Sequence, residues 1–276
     1  MLGNLNFPAT SRQLRAFCAL ESHPDSPSAS GNPCLVALLA EPPAHAPAQS
    51  AIAQCVSWPL AERRAAVQCW APGGSSILCC GHGLLCCASV WFDYWGQDGT
   101  LVMNVSEVAC HLAEGKVWLG FQPLAPVACD VPDWCKYFFD VEPIAAATVG
   151  VDNAYLILEW TKDFNLASLS TPLASLSQYT QRALIATCAA DPATATYAET
   201  IRYRYFAPQH GVAEDTATGS AMRVLASYWQ QRGQGQTLTA YQCSAAGGLL
   251  FSRIAEAKVW VGGWTAPMAK ESKSFE

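Results

Sequence analysis

The segment Ala113-Glu114-Gly115-Lys116-Val117-Trp118-Leu119-Gly120 returns as Ala255-Glu256-Ala257-Lys258-Val259-Trp260-Val261-Gly262, six of the eight residues being identical. A chain that repeats itself at about half its length is built of two related lobes, since each copy carries the same local instructions. A cleft between such lobes can handle one small molecule from two sides.

The likeness extends beyond that segment. Cys69-Trp70-Ala71-Pro72 matches Tyr205-Phe206-Ala207-Pro208, and the run from Gly81 to Trp91 aligns without a gap with the run from Gly219 to Trp229. The offset grows from 136 to 138 to 142 along the chain, as small loop insertions after a duplication produce.

The 276 residues suffice for one large domain or two lobes, and 51% hydrophobic against 14% charged residues reads as a packed core. A net charge of −6 without a basic cluster disfavours nucleic acid as a partner. The apolar, uncharged run Ile77 to Phe92 is 16 residues and too short to span a bilayer. Residues 1–13 show no basic region followed by an apolar block, so the chain reads as cytoplasmic, with no membrane partner.

Thirteen cysteines are then expected as reduced thiols. Cys79-Cys80 and Cys86-Cys87 flank His82, which raises a metal site. The repeat places Cys86 and Cys87 on Val224 and Leu225, however, so they read as small core residues, and no paired Cys-x-x-Cys spacing is present. No metal is expected.

Strands are expected at Arg12 to Leu20, Pro33 to Ala40, Ala65 to Trp70, Leu101 to His111 and Lys116 to Phe121. Glu21 to Asn32 and Glu41 to Ser50 read as loops, and Pro132 to Glu142 as the crossing between lobes. The second lobe offers strands at Ala154 to Trp160, Arg182 to Ala189, Glu199 to Phe206, Gln236 to Ser244 and Ile254 to Gly262, with a short amphipathic helix at Leu173 to Gln181. Gly83 to Trp91 and Ala221 to Gln231 are apolar helices, each expected to be wrapped by the strands of its own lobe. The expected fold is α+β, two pseudo-symmetric lobes over residues 12–140 and 141–264, followed by a polar tail at 265–276.

Both helices follow a Gly-containing turn, Cys80-Gly81-His82-Gly83 and Thr218-Gly219-Ser220-Ala221. Unpaired N–H groups and the helix dipole make each start an anion site, so Gly81, Gly83, Gly219 and Ser220 are candidates to hold a carboxylate. Cys80 and His82 on one lobe, with Glu214, Asp215 and Ser220 on the other, could move protons: a thiol at a helix start ionises more easily, and a carboxylate in a closed cleft less easily. Taken singly, His82 can be a backbone hydrogen-bonder and Ser220 a helix cap. Asp215, in a charge-poor region, is the hardest to dismiss.

Gly31-Asn32-Pro33, Cys80-Gly81-His82-Gly83-Leu84-Leu85 and Glu214-Asp215-Thr216-Ala217-Thr218-Gly219-Ser220-Ala221 resemble, in that order, the three signatures of the PhzF-like, phenazine-biosynthesis-like family. The likeness runs from about Arg12 to Trp264. It implies a diaminopimelate-epimerase-like fold, each lobe a mixed sheet rolled around a central helix, usually in a homodimer. It also implies isomerisation of a small carboxylate-bearing metabolite by proton transfer without a cofactor, with His82, Asp215 and Ser220 at the matching positions. One departure concerns the family's usual glutamate base. The corresponding segment here is Ala53-Gln54-Cys55-Val56-Ser57-Trp58-Pro59, which puts Cys55 or Trp58 in its place and no carboxylate. A second is that the second-lobe block has no thiol, unlike the two-thiol epimerases of this fold. Three functions follow as expectations: an isomerase using Asp215 with Cys55, Cys80 or His82; a metabolite-binding module that lost catalysis; and a thiol-based enzyme.

Overall fold

The computed structural model describes residues 10–20, 29–78, 80–96, 98–152, 154–172 and 174–268. Strands β1 (Thr10–Cys18), β2 (Asn32–Leu38), β3 (Ala53–Ala61), β4 (Arg64–Trp70) and β5 (Ser76–Ile77) lead into helix α1 (Gly81–Trp95), and β6 (Gly99–Met103), β7 (Ser106–Ala113) and β8 (Lys116–Phe121) follow. After β9 (Pro126–Cys129) come β10 (Ala145–Val149), β11 (Tyr155–Glu159), β12 (Ala183–Ala189) and β13 (Ile201–Phe206). Helix α2 (Gly219–Gln231), β14 (Thr237–Gln242), β15 (Gly248–Ala255) and β16 (Lys258–Pro267) complete the chain.

The duplication governs the pairing. In the first lobe β1–β2, β3–β4, β6–β7 and β7–β8 are antiparallel while β2–β3 and β4–β6 are parallel. In the second, β10–β11, β12–β13, β14–β15 and β15–β16 are antiparallel while β11–β12 and β13–β14 are parallel. Each lobe's last strand then leaves it. β16 pairs with β15 and β8 and runs on to β1, closing an eight-stranded barrel, while the chain after β8 continues as β9 onto β10. β9 thus lies before the expected boundary at residue 140 but pairs with β10 beyond it. Thr265 to Pro267 belong to β16 rather than to a tail, and residues 269–276 lie outside the described residues.

Both copies of the repeat are hairpins. Glu114 and Gly115 (φ 54° and 70°), like Glu256 and Ala257 (φ 53° and 56°), have two successive positive φ angles, as a type I′ turn requires. The expected strand Ile254 to Gly262 is therefore two strands broken at this turn. The copies then pair with each other, Trp260 opposite Gly120 and Gly262 opposite Trp118. A Cβ on Gly120 would stand 2.9 Å from the Trp260 ring, and one on Gly262 2.5 Å from that of Trp118. The repeated Trp-x-Gly is thus reciprocal: each indole fills the space that the other copy's glycine leaves.

Helix α1 is buried on nearly every side, against β1, β2, β3, β8 and β16. Complete burial of Leu84, Leu85 and Val90 contributes about 1.5–3 kcal/mol apiece. Gly96, at φ 65°, ends the helix by donating its N–H to the Phe92 carbonyl. The repeat also fixes each helix to its sheet. Trp91 Nε1 donates to Ser57 Oγ (2.7 Å), which donates to the Ala66 carbonyl. Trp229 Nε1 donates to Thr187 Oγ1 (3.1 Å), which donates to the Arg202 carbonyl.

Other elements differ from expectation. The amphipathic helix expected at Leu173 to Gln181 is a 3-10 turn, Ala174–Gln178, and the interlobe crossing contains another, Asp133–Tyr137. β3, β9 and β10 were not foreseen; β3 lacks a clean alternation because its first five residues are all buried. The loop expected at 21–28 lies outside the described residues. Among the described residues no helix is long and apolar enough to cross a membrane.

Candidate functional site

The two helix starts meet. An added Cβ on Gly81 would lie 3.0 Å from the Gly219 Cα and 3.3 Å from the Ser220 nitrogen. The first intrahelical bonds are Leu84 N–H to the Cys80 carbonyl (2.9 Å) and Met222 N–H to the Thr218 carbonyl (3.2 Å). The preceding N–H groups of both helices therefore have no intrahelical acceptor and converge on one place. Phe17 wedges the junction: fully buried at φ 61°, at an irregularity of β1, its ring packs against Gly219 and Gly263. Nothing in the sequence pattern distinguished Phe17.

Asp215 joins the second-lobe block to the Gly31-Asn32-Pro33 segment. Its Oδ1 accepts from Asn32 Nδ2 (2.8 Å) and the Thr216 N–H (2.9 Å), and its Oδ2 from Thr218 Oγ1 (2.6 Å). Gln242, fully buried on β14, accepts from the Thr218 N–H (2.7 Å) and donates to the Asp215 carbonyl (2.5 Å). Tyr203 OH donates to the Thr218 carbonyl (3.2 Å). Burial raises the Asp215 carboxyl above the usual carboxylate range, against the pull of His82 and the two side-chain donors. Gln242 and Tyr203 were not among the candidates, although a glutamine inside an apolar strand was a signal. Glu214 is engaged elsewhere, paired in a bidentate manner with the buried Arg204 (2.7 and 2.8 Å).

On the first lobe, Cys80 Sγ lies 3.6 Å from His82 Nδ1. Burial opposes a charge on His82, yet the Cys80 sulfur, Cys34 and Asp215 together raise it to about 10. Cys80 moves the opposite way: hydrogen bonds from the Cys55 and Cys69 thiols and the charge of His82 hold it well below its ordinary value, against burial. The two therefore shift in opposite directions, each favouring the charged form of the other, with His82 half-exposed and Cys80 buried. Ser220 is also half-exposed, and its hydroxyl has no hydrogen-bond partner among the described residues.

Cys55 brings its sulfur within 4.8 Å of that of Cys80. It is on β3, 1% exposed, beneath α1 and against Gly83, and burial pushes its thiol far up. Glu62 is exposed in the β3–β4 turn at the far end of that hairpin. No carboxylate reaches the site from this strand. Surface hollows of about 430 Å³ (Glu199, Arg202, Tyr241) and about 380 Å³ (His111, Arg253, Trp260) do not include the helix starts.

The model of the phenazine biosynthesis-like protein family (PhzC-PhzF) matches residues 134–269. The mouse phenazine biosynthesis-like domain-containing protein 1 is 31% identical over 201 residues, which cover 66% of this chain and 67% of the mouse protein. The chain belongs to the phenazine biosynthesis-like family. Among solved structures, a phenazine biosynthesis PhzF family protein of Enterococcus faecalis superposes with a TM-score of 0.77 at 22% identity, covering 94% of this chain and 98% of that one. A predicted epimerase of Pseudomonas aeruginosa gives 0.65 at 18% identity, covering 95% and 98%. This phenazine biosynthesis-like chain therefore has the α+β fold of those solved structures, and Asn32, the Cys80–Gly83 turn and the Asp215–Ser220 segment come together at the paired helix starts.

Proposed function

We propose that this protein is a cofactor-free isomerase that moves a proton on a small carboxylate-bearing metabolite held at the paired helix starts. The observation that carries the reading is the placement of Asp215 on one lobe and the Cys80–His82 pair on the other, near enough for their charges to act on each other. The first-turn N–H groups and Ser220 bind the substrate carboxylate, where the positive helix ends favour an anion. Asp215 Oδ2 keeps a free lone pair and, with its raised affinity for protons, accepts a hydrogen from the carbon beside that carboxylate. The carbon–hydrogen electron pair moves onto the carboxylate, whose added charge faces the same N–H donors. The His82 imidazolium, held charged by the thiolate beneath it, returns a proton at a second face or neighbouring atom.

Solvent deuterium incorporation into small amino and hydroxy acids tests this. Exchange should occur in the wild type and be lost in Asp215→Asn and His82→Gln; equal exchange rates in all three would refute the assignment. A second reading, binding without turnover, is favoured by the missing glutamate and the burial of Cys55. Tight binding of a carboxylate whose hydrogens never exchange would decide for it.

A further inference from the structure

Beneath α1 lies a nest of six buried thiols. Cys34 comes from β2, Cys55 from β3, Cys69 from β4, Cys80 from the helix start, and Cys86 and Cys87 from α1 itself. The proton transfer proposed above uses only Cys80. Three of the sulfurs, those of Cys55, Cys69 and Cys80, lie within 4.8 Å of one another. A point central to such a triangle is at most about 2.8 Å from each sulfur, some 0.5 Å beyond a metal–thiolate bond of about 2.3 Å.

The space at their convergence is kept open by Gly83. A Cβ there would overlap the Cys55 sulfur and stand 2.9 and 3.1 Å from those of Cys80 and Cys69. The second lobe shows that the scaffold does not need this arrangement. Ser57 and Thr187 occupy equivalent places under the paired tryptophans, and the same offset carries Cys55 to Ile185. The aligned repeat carries Cys69 to Tyr205, Cys80 to Thr218 and Gly83 to Ala221. The second lobe has an isoleucine, a tyrosine, a threonine and a filled Cβ where the first has three thiols and a hole.

We propose that Cys55, Cys69 and Cys80 form a binding site for a soft monovalent cation of the copper(I) class. Three sulfurs without a fourth jointly close ligand among the described residues suit a three-coordinate thiophilic ion, whereas structural zinc takes four ligands. Binding replaces each S–H proton that the three cysteines still carry, forms three metal–sulfur bonds and leaves every oxidation state unchanged. The resulting two negative charges sit at the positive start of α1, beside His82. Sequence spacing pointed away from a metal because the three ligands come from three elements, at positions 55, 69 and 80, in no motif.

The test uses the reduced full-length protein, titrated anaerobically with copper(I) against a chromophoric copper(I) chelator. One tight equivalent is expected, with thiolate-to-metal absorption in the ultraviolet and X-ray absorption showing three sulfur neighbours. Cys69→Ser should bind at least about 100-fold more weakly. Cys188→Ser, a buried second-lobe thiol, should bind as the wild type does. The proposal fails if Cys69→Ser retains wild-type affinity, if Cys188→Ser is equally impaired, or if zinc binds more tightly than copper(I). X-ray absorption of the wild type keeps it open to refutation should Cys69→Ser fold poorly, since two sulfurs or a nitrogen-rich shell would overturn it. None of these readouts depends on isomerase activity.

Discussion

Gly81 and Gly219 touch backbone to backbone, so the starts of the two helices form one junction with room for no side chain on either. Gly81→Ala would force a methyl group to within 3.0 Å of the Gly219 Cα, where rigid backbone cannot yield as a flexible side chain can. A loss of about 1–3 kcal/mol in urea unfolding is expected, together with loss of deuterium exchange. Full exchange in a stably folded Gly81→Ala protein would show that the junction is not the site.

The Cys80–His82 pair gives stability a distinctive pH profile. His82 is raised from 6.5 to about 10 on folding, so its stabilisation is complete below pH 6.5 and lost as pH rises towards 10. Cys80 is lowered from 9.0, so its stabilisation is complete above pH 9 and lost as pH falls through its folded value. Between 6.5 and 9, wherever pH also lies above the folded value of Cys80, the two slopes oppose each other, because folding then moves a proton from thiol to imidazole without net uptake. Urea midpoints should contain a plateau there from this pair, falling away above pH 9. His82→Gln should remove the fall between 9 and 10.

Arg204 has a side chain only 7% exposed and depends on Glu214 for its countercharge. It also donates to the Leu166 carbonyl and to that of Leu169, which ties the loop before α2 to the segment after β11. Glu214→Gln leaves the guanidinium buried and unpaired, and a cost of about 3 kcal/mol is expected by thermal or urea unfolding. A change below 1 kcal/mol would mean that water reaches Arg204.

Ala257 stands at φ 56°, where its counterpart in the other hairpin is Gly115 at φ 70°. An alanine in the left-handed region carries strain of about 1–2 kcal/mol that glycine avoids. Ala257→Gly should therefore raise stability by up to about 1 kcal/mol after the greater entropy of unfolded glycine is counted, and Gly115→Ala should lower it.

How much of this was legible in the sequence follows from how local each signal is. Trp118 and Trp260 mark a repeated hairpin that is visible in the residue order, as are the glycines that begin the two helices. The pairing of those two copies with each other was not visible, since Trp118 over Gly262 is a contact across 144 positions. The gathering of Asn32, Asp215 and Gln242 was hidden for the same reason: two strand ends and a loop meet only once the sheet has formed. Cys55 illustrates the limit most sharply. Alignment offered it as a stand-in for a glutamate, but residue order alone does not show that its thiol packs against Gly83 and beside Cys80.

The last strands also determine what the chain is as a physical object. Because β16 seals the first barrel beside β1 while β9 extends the second beside β10, each half contributes an edge that the other lacks. A half-length chain would leave those edges bare and would need a second copy to cover them. Covalent connection turns that association into an intramolecular one, independent of concentration. Severing the backbone near residue 140, between β9 and β10, should therefore give two fragments that remain unfolded apart and regain structure only when mixed.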